Sequence, residues 1–353
     1  MVGFVWRSLP ITEYLNSPEM ASAVKSFFSS GGPAKNTPDI WCWKHIENPF
    51  GRSVGRYAWS DEEKKIVGVR ALMHWRLSAP DGSIINAGRA VDTGTDSGWQ
   101  GRGIFTQLTK QTVADFRGQG GDVIFNTPNS NSAPGYLKMG WSKIGPVRMY
   151  LKVLKPFGFA HALVINRKLR AQGELPDESA FGIGKWPLCS DVLNSDEVGL
   201  VIKSHEKSRV STGVRTFRSD GYLKWRYGSH PHINYRVFSI RDSSGVLAAA
   251  VVRANVRFGI KELVISELWA RDACIALMSD CLKELAKNTS SDYLIAHFSD
   301  HSLERKALRK ALFFSAPKSQ ALDLYARPVS SDALYDLANI SGWDLSLGDL
   351  ELF

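Results

Sequence analysis

Apolar and polar positions alternate between strand-like and helix-like patterns along the first half of the chain. Residues 66–77 form an almost unbroken apolar run of strand composition. A second run, 84–95, follows the turn signal Pro80-Asp81-Gly82, so the two are expected to pair as a hairpin. Next comes a glycine-punctuated loop, Gly98-Trp99-Gln100-Gly101-Arg102-Gly103. Ile104, Phe105, Leu108, Thr112, Val113 and Phe116 then recur at helical spacing, and Gly118, Gly120 and Gly121 close that helix. Residues 122–127 read as a short strand, the apolar Val123-Ile124-Phe125 followed by Asn126. A short helix is expected from near Ser132 to Gly140, and 147–153 as a further strand closed by Pro156.

The second half repeats this order. Trp43-Lys44-His45 precedes Pro49 as Trp225-Arg226-Tyr227 precedes Pro231, and Lys138, Trp141 and Pro156 match Lys310, Phe313 and Pro328 at an offset of 172. Between these anchors the pattern predicts a strand over 262–269, a helix over 273–286, a strand over 293–298, a helix over 303–312 and a closing strand over 322–326. Two copies of one fold account for this most simply. The expected division is a first lobe over 1–156, a connector over 157–196 and a degenerate second lobe over 197–353. In the second copy Arg271-Asp272 replaces the glycine loop, Leu308 stands for Tyr136 and Leu312 for Gly140, so a single active site belongs in the first lobe.

Composition narrows the function classes. With 353 residues, 44% hydrophobic and 22% charged, the chain reads as an ordinary globular protein of about two domains. No stretch approaches the ~18 apolar residues of a membrane span, and the start carries no secretory core, so no stable membrane insertion and a cytoplasmic location are expected. Four scattered cysteines without a CxxC pair argue against disulfides and against a thiolate metal site; no metal is expected. The net charge of +9 is concentrated in 1–156, with 19 basic against 12 acidic residues, which suits a polyanionic partner. A basic run, zinc finger or RRM signature is missing, so that partner is not expected to be nucleic acid. A basic amphipathic piece at 160–170 could touch a membrane surface, although such faces are more often simply solvated.

The chemistry lies in the loop between the second strand of the hairpin and the helix at 104. The first amides of a helix have no intrahelical acceptor and carry partial positive charge, and glycines let backbone approach a phosphate closely. The spacing fits neither a dinucleotide fold nor a P-loop. With its flanks, it resembles the GNAT superfamily of acyl-CoA-dependent N-acetyltransferases, whose hallmark is Q/R-x-x-G-x-G/A between the fourth strand and the third helix. Gln100-Gly101-Arg102-Gly103-Ile104-Phe105 fits, with Phe105 at the small-residue position. Asn126, then Tyr136-Leu137-Lys138-Met139-Gly140-Trp141, is similar to the downstream Asn and Tyr-x-Lys-x-Gly-Phe of that superfamily. The resemblance covers about 60–156 well and about 197–328 as a degenerate copy. The closing Trp343-Asp344-Leu345-Ser346-Leu347-Gly348-Asp349 resembles the tail of two-lobed GNAT-like proteins often associated with bacterial polysaccharide genes.

The resemblance implies an α/β protein of two GNAT-like lobes, each a mixed, mainly antiparallel twisted sheet flanked by helices. It implies acetyl-CoA as co-substrate, with its pyrophosphate on the amides of Gly101, Arg102, Gly103, Ile104 and Phe105 beside Gln100. The pantetheine arm would lie along the splayed strand at Val91, Thr93 and Thr95, hydrogen-bonded by Asn126. Tyr136 would protonate the leaving thiolate, and a backbone amide near Val91 or Asp92 would polarise the carbonyl. Asp92 is a candidate base for the acceptor amine or a structural carboxylate, and His45 and His74 are further candidates. Trp43, Trp75, Trp99 and Trp141 could stack on a ring-shaped substrate, although core packing is their commoner role. The acceptor expected is a small-molecule primary amine, an amino sugar or sugar nucleotide, with the second lobe shaping its cleft. An aminoacyl or peptide-type acyltransferase and a non-catalytic acyl-CoA-binding protein are the alternatives.

Overall fold

The computed structural model describes residues 5–12, 14–28, 37–159, 176–193, 195–257, 259–317, 321–330 and 335–350. The basic piece at 160–170 lies outside them. The chain forms two compact units: 1–145 with 323–340, and 146–322 with 341–353.

In the first unit, strands β1 (Trp6–Pro10), β2 (Val54–Ser60), β3 (Lys65–Ser78), β4 (Ile84–Thr95), β5 (Val123–Asn126) and β6 (Ser142–Val147) are joined by a strand from late in the chain. Helices α1 (Pro18–Phe27) and α2 (Pro38–His45) precede β2. Each starts with proline behind a capping side chain: Ser17 accepts from the Met20 amide at 3.0 Å and Thr37 from Ile40 at 3.4 Å. Helix α3 (Ile104–Gly118) follows β4, and α4 (Ala133–Lys138) follows β5. The β3–β4 turn closes through Asp81, whose carboxylate accepts from the Ser83 amide at 2.9 Å, with Gly82 at φ +85°. Helix α3 buries Ile104, Leu108, Thr112, Val113 and Phe116 of the stripe read from the sequence, and leaves Phe105 half-buried. Gly121 lies against Phe116, where an added Cβ would come within 2.2 Å of the ring.

The second unit begins with β7 (Tyr150–Val153). It continues through α5 (Asp196–Ser208), β8 (Arg215–Thr216), β9 (Arg236–Asp242), β10 (Gly245–Arg257), β11 (Ile260–Ala270), α6 (Ile275–Lys287), β12 (Tyr293–Ala296), α7 (Leu303–Lys310) and β13 (Phe314–Ser315). Strand β14 (Leu322–Pro328) returns to the first unit, and α8 (Leu347–Leu350) ends the second. The strand order is β1-β2-β3-β4-β5-β14-β6 in the first sheet and β13-β7-β12-β11-β10-β9 in the second. Parallel pairing occurs between β4 and β5 and between β11 and β12; the other recorded ladders within each unit are antiparallel. The architecture is the expected pair of mixed, mainly antiparallel sheets flanked by helices.

One expectation changes. Residues 147–153 are not a single strand closing the first lobe. The run breaks after Val147, and β7 pairs with β12 and β13 of the second unit. In return β14 pairs with β5, Tyr325 opposite Asn126. The last strand of each repeat thus completes the other sheet, which moves the division from 156 to 145 and 323. A strand offers the same backbone donors and acceptors to either sheet, so its sequence does not reveal its partner.

The second unit carries a dense buried ionic network. Arg209 pairs with Glu304 at 2.6 Å and with Asp344 at 2.7 Å. Burial alone would raise the Glu304 carboxyl, but Arg209 and the His205 hydrogen bond outweigh it and bring it down to about 2. A carboxylate depressed in the folded state stabilises that state above its ordinary value and loses the contribution as pH falls. Acid unfolding followed by circular dichroism should therefore show the wild type losing stability between about pH 4.5 and 2. Glu304→Gln should be less stable at pH 7 and flatter across that window.

Candidate active site

The site begins where the first sheet opens. β4 and β5 pair only at Ala87–Val123, Gly88–Ile124 and Arg89–Phe125. β4 then continues to Thr95 paired with β3 alone. Residues 87–90 are buried and 91–95 half-buried, so the segment holding Val91, Thr93 and Thr95 presents a strand edge to an extended ligand.

Within that edge the strand bulges. Val91 stands opposite Ala71 and Thr93 opposite Arg70, which leaves Asp92 as the extra residue, at φ +38°. A positive φ is uncommon outside glycine and is tolerated best by Asn and Asp. Two groups of α2 hold it there. Lys44 Nζ lies 2.9 and 2.7 Å from the two Asp92 oxygens, and His45 Nε2 lies 2.9 Å from Oδ2. Burial alone would raise the Asp92 carboxyl, but Lys44 and the His45 hydrogen bond outweigh it and hold it well below the usual carboxylate range. Burial likewise lowers His45, whose Nδ1 meets the Ser53 hydroxyl at 2.8 Å. Ser53, His45 and Asp92 form a hydrogen-bonded chain, but Ser53 and His45 are buried, so the chain presents no exposed nucleophile.

The loop after β4 is preorganised. Asp96 accepts from the Gly98 amide at 2.9 Å. Arg102 donates to the Gly98 carbonyl at 2.9 Å while its guanidinium lies 4.9 Å from the Trp99 ring centre. Gln100 reaches the Thr95 carbonyl at 3.4 Å. Gly101 and Gly103 both adopt φ +75° with open space where a Cβ would stand. Gly103 is the N-cap of α3 and no side chain caps that end. The amides leading into Ile104 and Phe105 thus face an uncapped helix terminus, a cradle suited to a phosphate.

Tyr136 lies in a core cluster with Met139 and Trp141, its ring 5.1 Å from Trp141 and 5.8 Å from Phe105. The Arg70 guanidinium donates to its hydroxyl at 2.8 Å. At the end of β5, Asn126 Oδ1 is buried without a hydrogen-bond partner among the described residues. An orphaned acceptor there, beside an open strand edge and an uncapped helix, fits an acyl-CoA arm that carries amide N–H groups. Trp43, Trp75, Trp99 and Trp141 are all buried and serve the core. His45 is fully buried and His74 lies against Phe116, ring centres 5.7 Å apart. Sequence reasoning missed Arg70 and Lys44 as site residues. For Arg70 the available signal was a charge inside the apolar run 66–77.

The second unit preserves the frame and fills it from within. Val252 pairs with Ile265 and Val251 with Glu267, so Ser266 is its bulge residue, and β11 leaves β12 after Ile265–Ala296. The closing segment of the chain lies in that opening. The Ser299 amide donates to Leu345 at 3.0 Å, and the Leu347 amide donates to His297 at 2.8 Å. Gly348 packs so closely that a Cβ would stand 2.0 Å from Tyr227 Oη and 3.1 Å from the Ser266 carbonyl. Arg218 joins Glu267 to Asp349, at 3.1 and 3.0 Å. In place of the glycine cradle, Asp272 takes φ +52° and exchanges hydrogen bonds with Ser204 at 2.9 and 3.0 Å. Leu312, standing for Gly140, keeps that turn at φ +61°.

Among the described residues, no helix is long and apolar enough to cross a membrane, and no group of three His, Cys, Asp or Glu could hold a metal. A splayed parallel pair, a bulge and a glycine-led helix terminus lie together in the first unit, an arrangement suited to an extended, phosphate-bearing ligand. Residues 22–144 match the family model described as an acetyltransferase (GNAT) domain. The protein carries a GNAT domain and is an acyltransferase of that type. Solved structures agree in fold. A GCN5-related N-acetyltransferase from Anabaena variabilis is 12% identical, with 92% of this chain and 73% of that chain covered and a TM-score of 0.58. A GCN5-related N-acetyltransferase from Kribbella flavida is 14% identical, with 92% and 72% covered and a TM-score of 0.55. Saccharomyces cerevisiae N-myristoyltransferase with bound myristoyl-CoA is 11% identical, with 93% and 79% covered and a TM-score of 0.56. No curated protein matches the chain.

The bulge depends on a buried ion pair, so Lys44→Met should be strongly destabilising. Removing one member of such a pair costs about 3–5 kcal/mol. A lowered thermal midpoint checks this, and Lys44→Arg should recover part of the loss.

Proposed function

We propose that the first unit transfers acetyl from acetyl-CoA to the primary amine of an amino sugar or sugar nucleotide, in the cytoplasm, for surface polysaccharide synthesis. The observation that carries the transfer is the coincidence, in one unit, of the open β4 edge, the uncapped α3 terminus and the Tyr136 hydroxyl. The acceptor class is supported by the basic first half of the chain and by the closing segment's likeness to polysaccharide-associated proteins.

In this reading Gly101, Arg102, Gly103, Ile104 and Phe105 hold the pyrophosphate through backbone amides, and Val91, Thr93, Thr95 and Asn126 hold the arm. The acceptor nitrogen bonds to the acyl carbon as the carbon–sulfur bond breaks. Tyr136 gives its hydroxyl proton to the departing sulfur, and the amine proton passes to solvent. A phenol of pKa near ~10 suits a thiol of similar basicity. Asp92, already engaged by Lys44 and His45, is a poor proton acceptor, and we assign it to holding the bulge whose amide polarises the carbonyl.

Calorimetry should give one acetyl-CoA per chain, because the second unit's opening is occupied by residues 343–350. Gly103→Asp, which sets a carboxylate in the cradle, should weaken binding; two equivalent sites, or no binding to any acyl-CoA, would sink the reading. A thiol-release screen with amino sugars, aminoacyl and peptide amines then identifies the acceptor.

Tyr136→Phe keeps the ring and should preserve packing. Turnover should fall by about 10²–10⁴-fold with acetyl-CoA affinity nearly unchanged, because the proton is given only as the bond breaks. Near-normal kcat under chemistry-limited conditions would remove Tyr136 from the mechanism.

A further inference from the structure

We propose that Arg70 is the positioning residue of the transfer step, fixing the Tyr136 hydroxyl as a donor and carrying the positive charge that meets the negative charge left as its proton departs. The inference rests on the role of Tyr136 given above.

Arg70 interrupts the apolar run of β3 and is fully buried. It stands opposite Thr93, beside the bulge. Its Nη1 donates to Tyr136 Oη at 2.8 Å, and the guanidinium carbon lies 5.3 Å from the ring centre. Its Nε and Nη2 are buried without a hydrogen-bond partner among the described residues. Among the other buried arginines, Arg209 and Arg218 each meet two carboxylates, while Arg226 donates to the Tyr235 hydroxyl at 2.9 Å and to the Gly348 carbonyl at 3.2 Å. An uncompensated buried cation is costly and persists where a later charge repays it.

The internal repeat supplies an independent control. The register around the two bulges places Val251 where the first unit has Arg70, since Arg70–Thr93 corresponds to Val251–Glu267. Leu308 stands where the first unit has Tyr136, and both Val251 and Leu308 are fully buried. The copy that lost the tyrosine also lost the arginine, so the fold itself needs neither. Packing alone would keep an apolar residue at 70, as it does at 251.

The geometry explains the pairing. A guanidinium that donates to the phenol oxygen occupies one of its lone pairs and leaves the O–H to point elsewhere as a donor. When the acyl carbon–nitrogen bond has formed and the carbon–sulfur bond has broken, the Tyr136 proton resides on sulfur. One negative charge is then shared across the phenol–thiol pair, against Arg70. Solvent takes the amine proton and later reprotonates Tyr136, so no further reactant is required.

Two measurements test this, on the full chain with Arg70→Met, Arg70→Lys, Tyr136→Phe and the double variant Arg70→Met/Tyr136→Phe. In steady-state kinetics Arg70→Met should lower kcat by about 10²-fold with KM for acetyl-CoA nearly unchanged, and Arg70→Lys should recover part of it. In the Tyr136→Phe background Arg70→Met should cost less than about 3-fold, because residues acting as a unit are not additive. In calorimetry at pH 9.5, where an alkyl thiol is substantially ionised, wild type should bind CoA about 10-fold more tightly than desulfo-CoA; Arg70→Met should bind both alike, at the wild-type affinity for desulfo-CoA. Additive kinetic losses, unchanged kcat, or an equal loss of affinity for both ligands in a folded Arg70→Met or Arg70→Lys protein would overturn the proposal. Wild type that binds neither ligand would overturn the assigned function instead, which separates the two failures.

Discussion

The pairing of β4 with β5 stops after three residue pairs, and the first unit's chemistry is arranged around that stop. A parallel pair that continued would satisfy β4 along its length and leave no edge for a ligand. Just beyond that stop, the bulge at Asp92 adds one residue to β4 in its ladder with β3. A left-handed aspartate in mid-strand is strained, and the strain is held by Lys44 and His45 of α2. Stability in one helix is thereby converted into shape at a strand edge.

The two copies show what the frame does when the ligand site is lost. Both keep the bulge and the splay, because these belong to how the sheet is built. In the second unit the opening is taken up by the chain's own end, whose backbone pairs with residues 297 and 299 as a strand would. The glycine cradle becomes Asp272, whose carboxylate and amide are satisfied by Ser204. A sheet that opens leaves backbone groups needing partners, and a degenerate copy must supply them from within.

Buried charge is distributed by the same logic. In the second unit, Arg209 and Arg218 are each matched by two carboxylates, and the result is a cross-linked core. In the first unit, Lys44 and Asp92 are matched to hold the bulge, while Arg70 donates to a phenol. Carboxylate-matched cations hold the bulge and the second core, and Arg70 and Arg226 instead donate to the hydroxyls of Tyr136 and Tyr235.

Much of this was legible in the residues themselves. Gly101 and Gly103 announced a glycine loop before a helix, the 3.6-residue stripe on α3 announced its buried face, and Arg271-Asp272 and Leu308 marked the second copy as altered. These features are local: each depends on backbone freedom or side-chain periodicity within a few residues, which the chain carries wherever it folds. The exchange of β7 and β14 between sheets, the capture of Asp92 by Lys44 and His45, the closing segment's place beside β11 and the meeting of Arg70 with Tyr136 were decided only by tertiary structure. Each joins groups distant along the chain, and hydrogen-bonding edges and charges accept many partners until packing selects one.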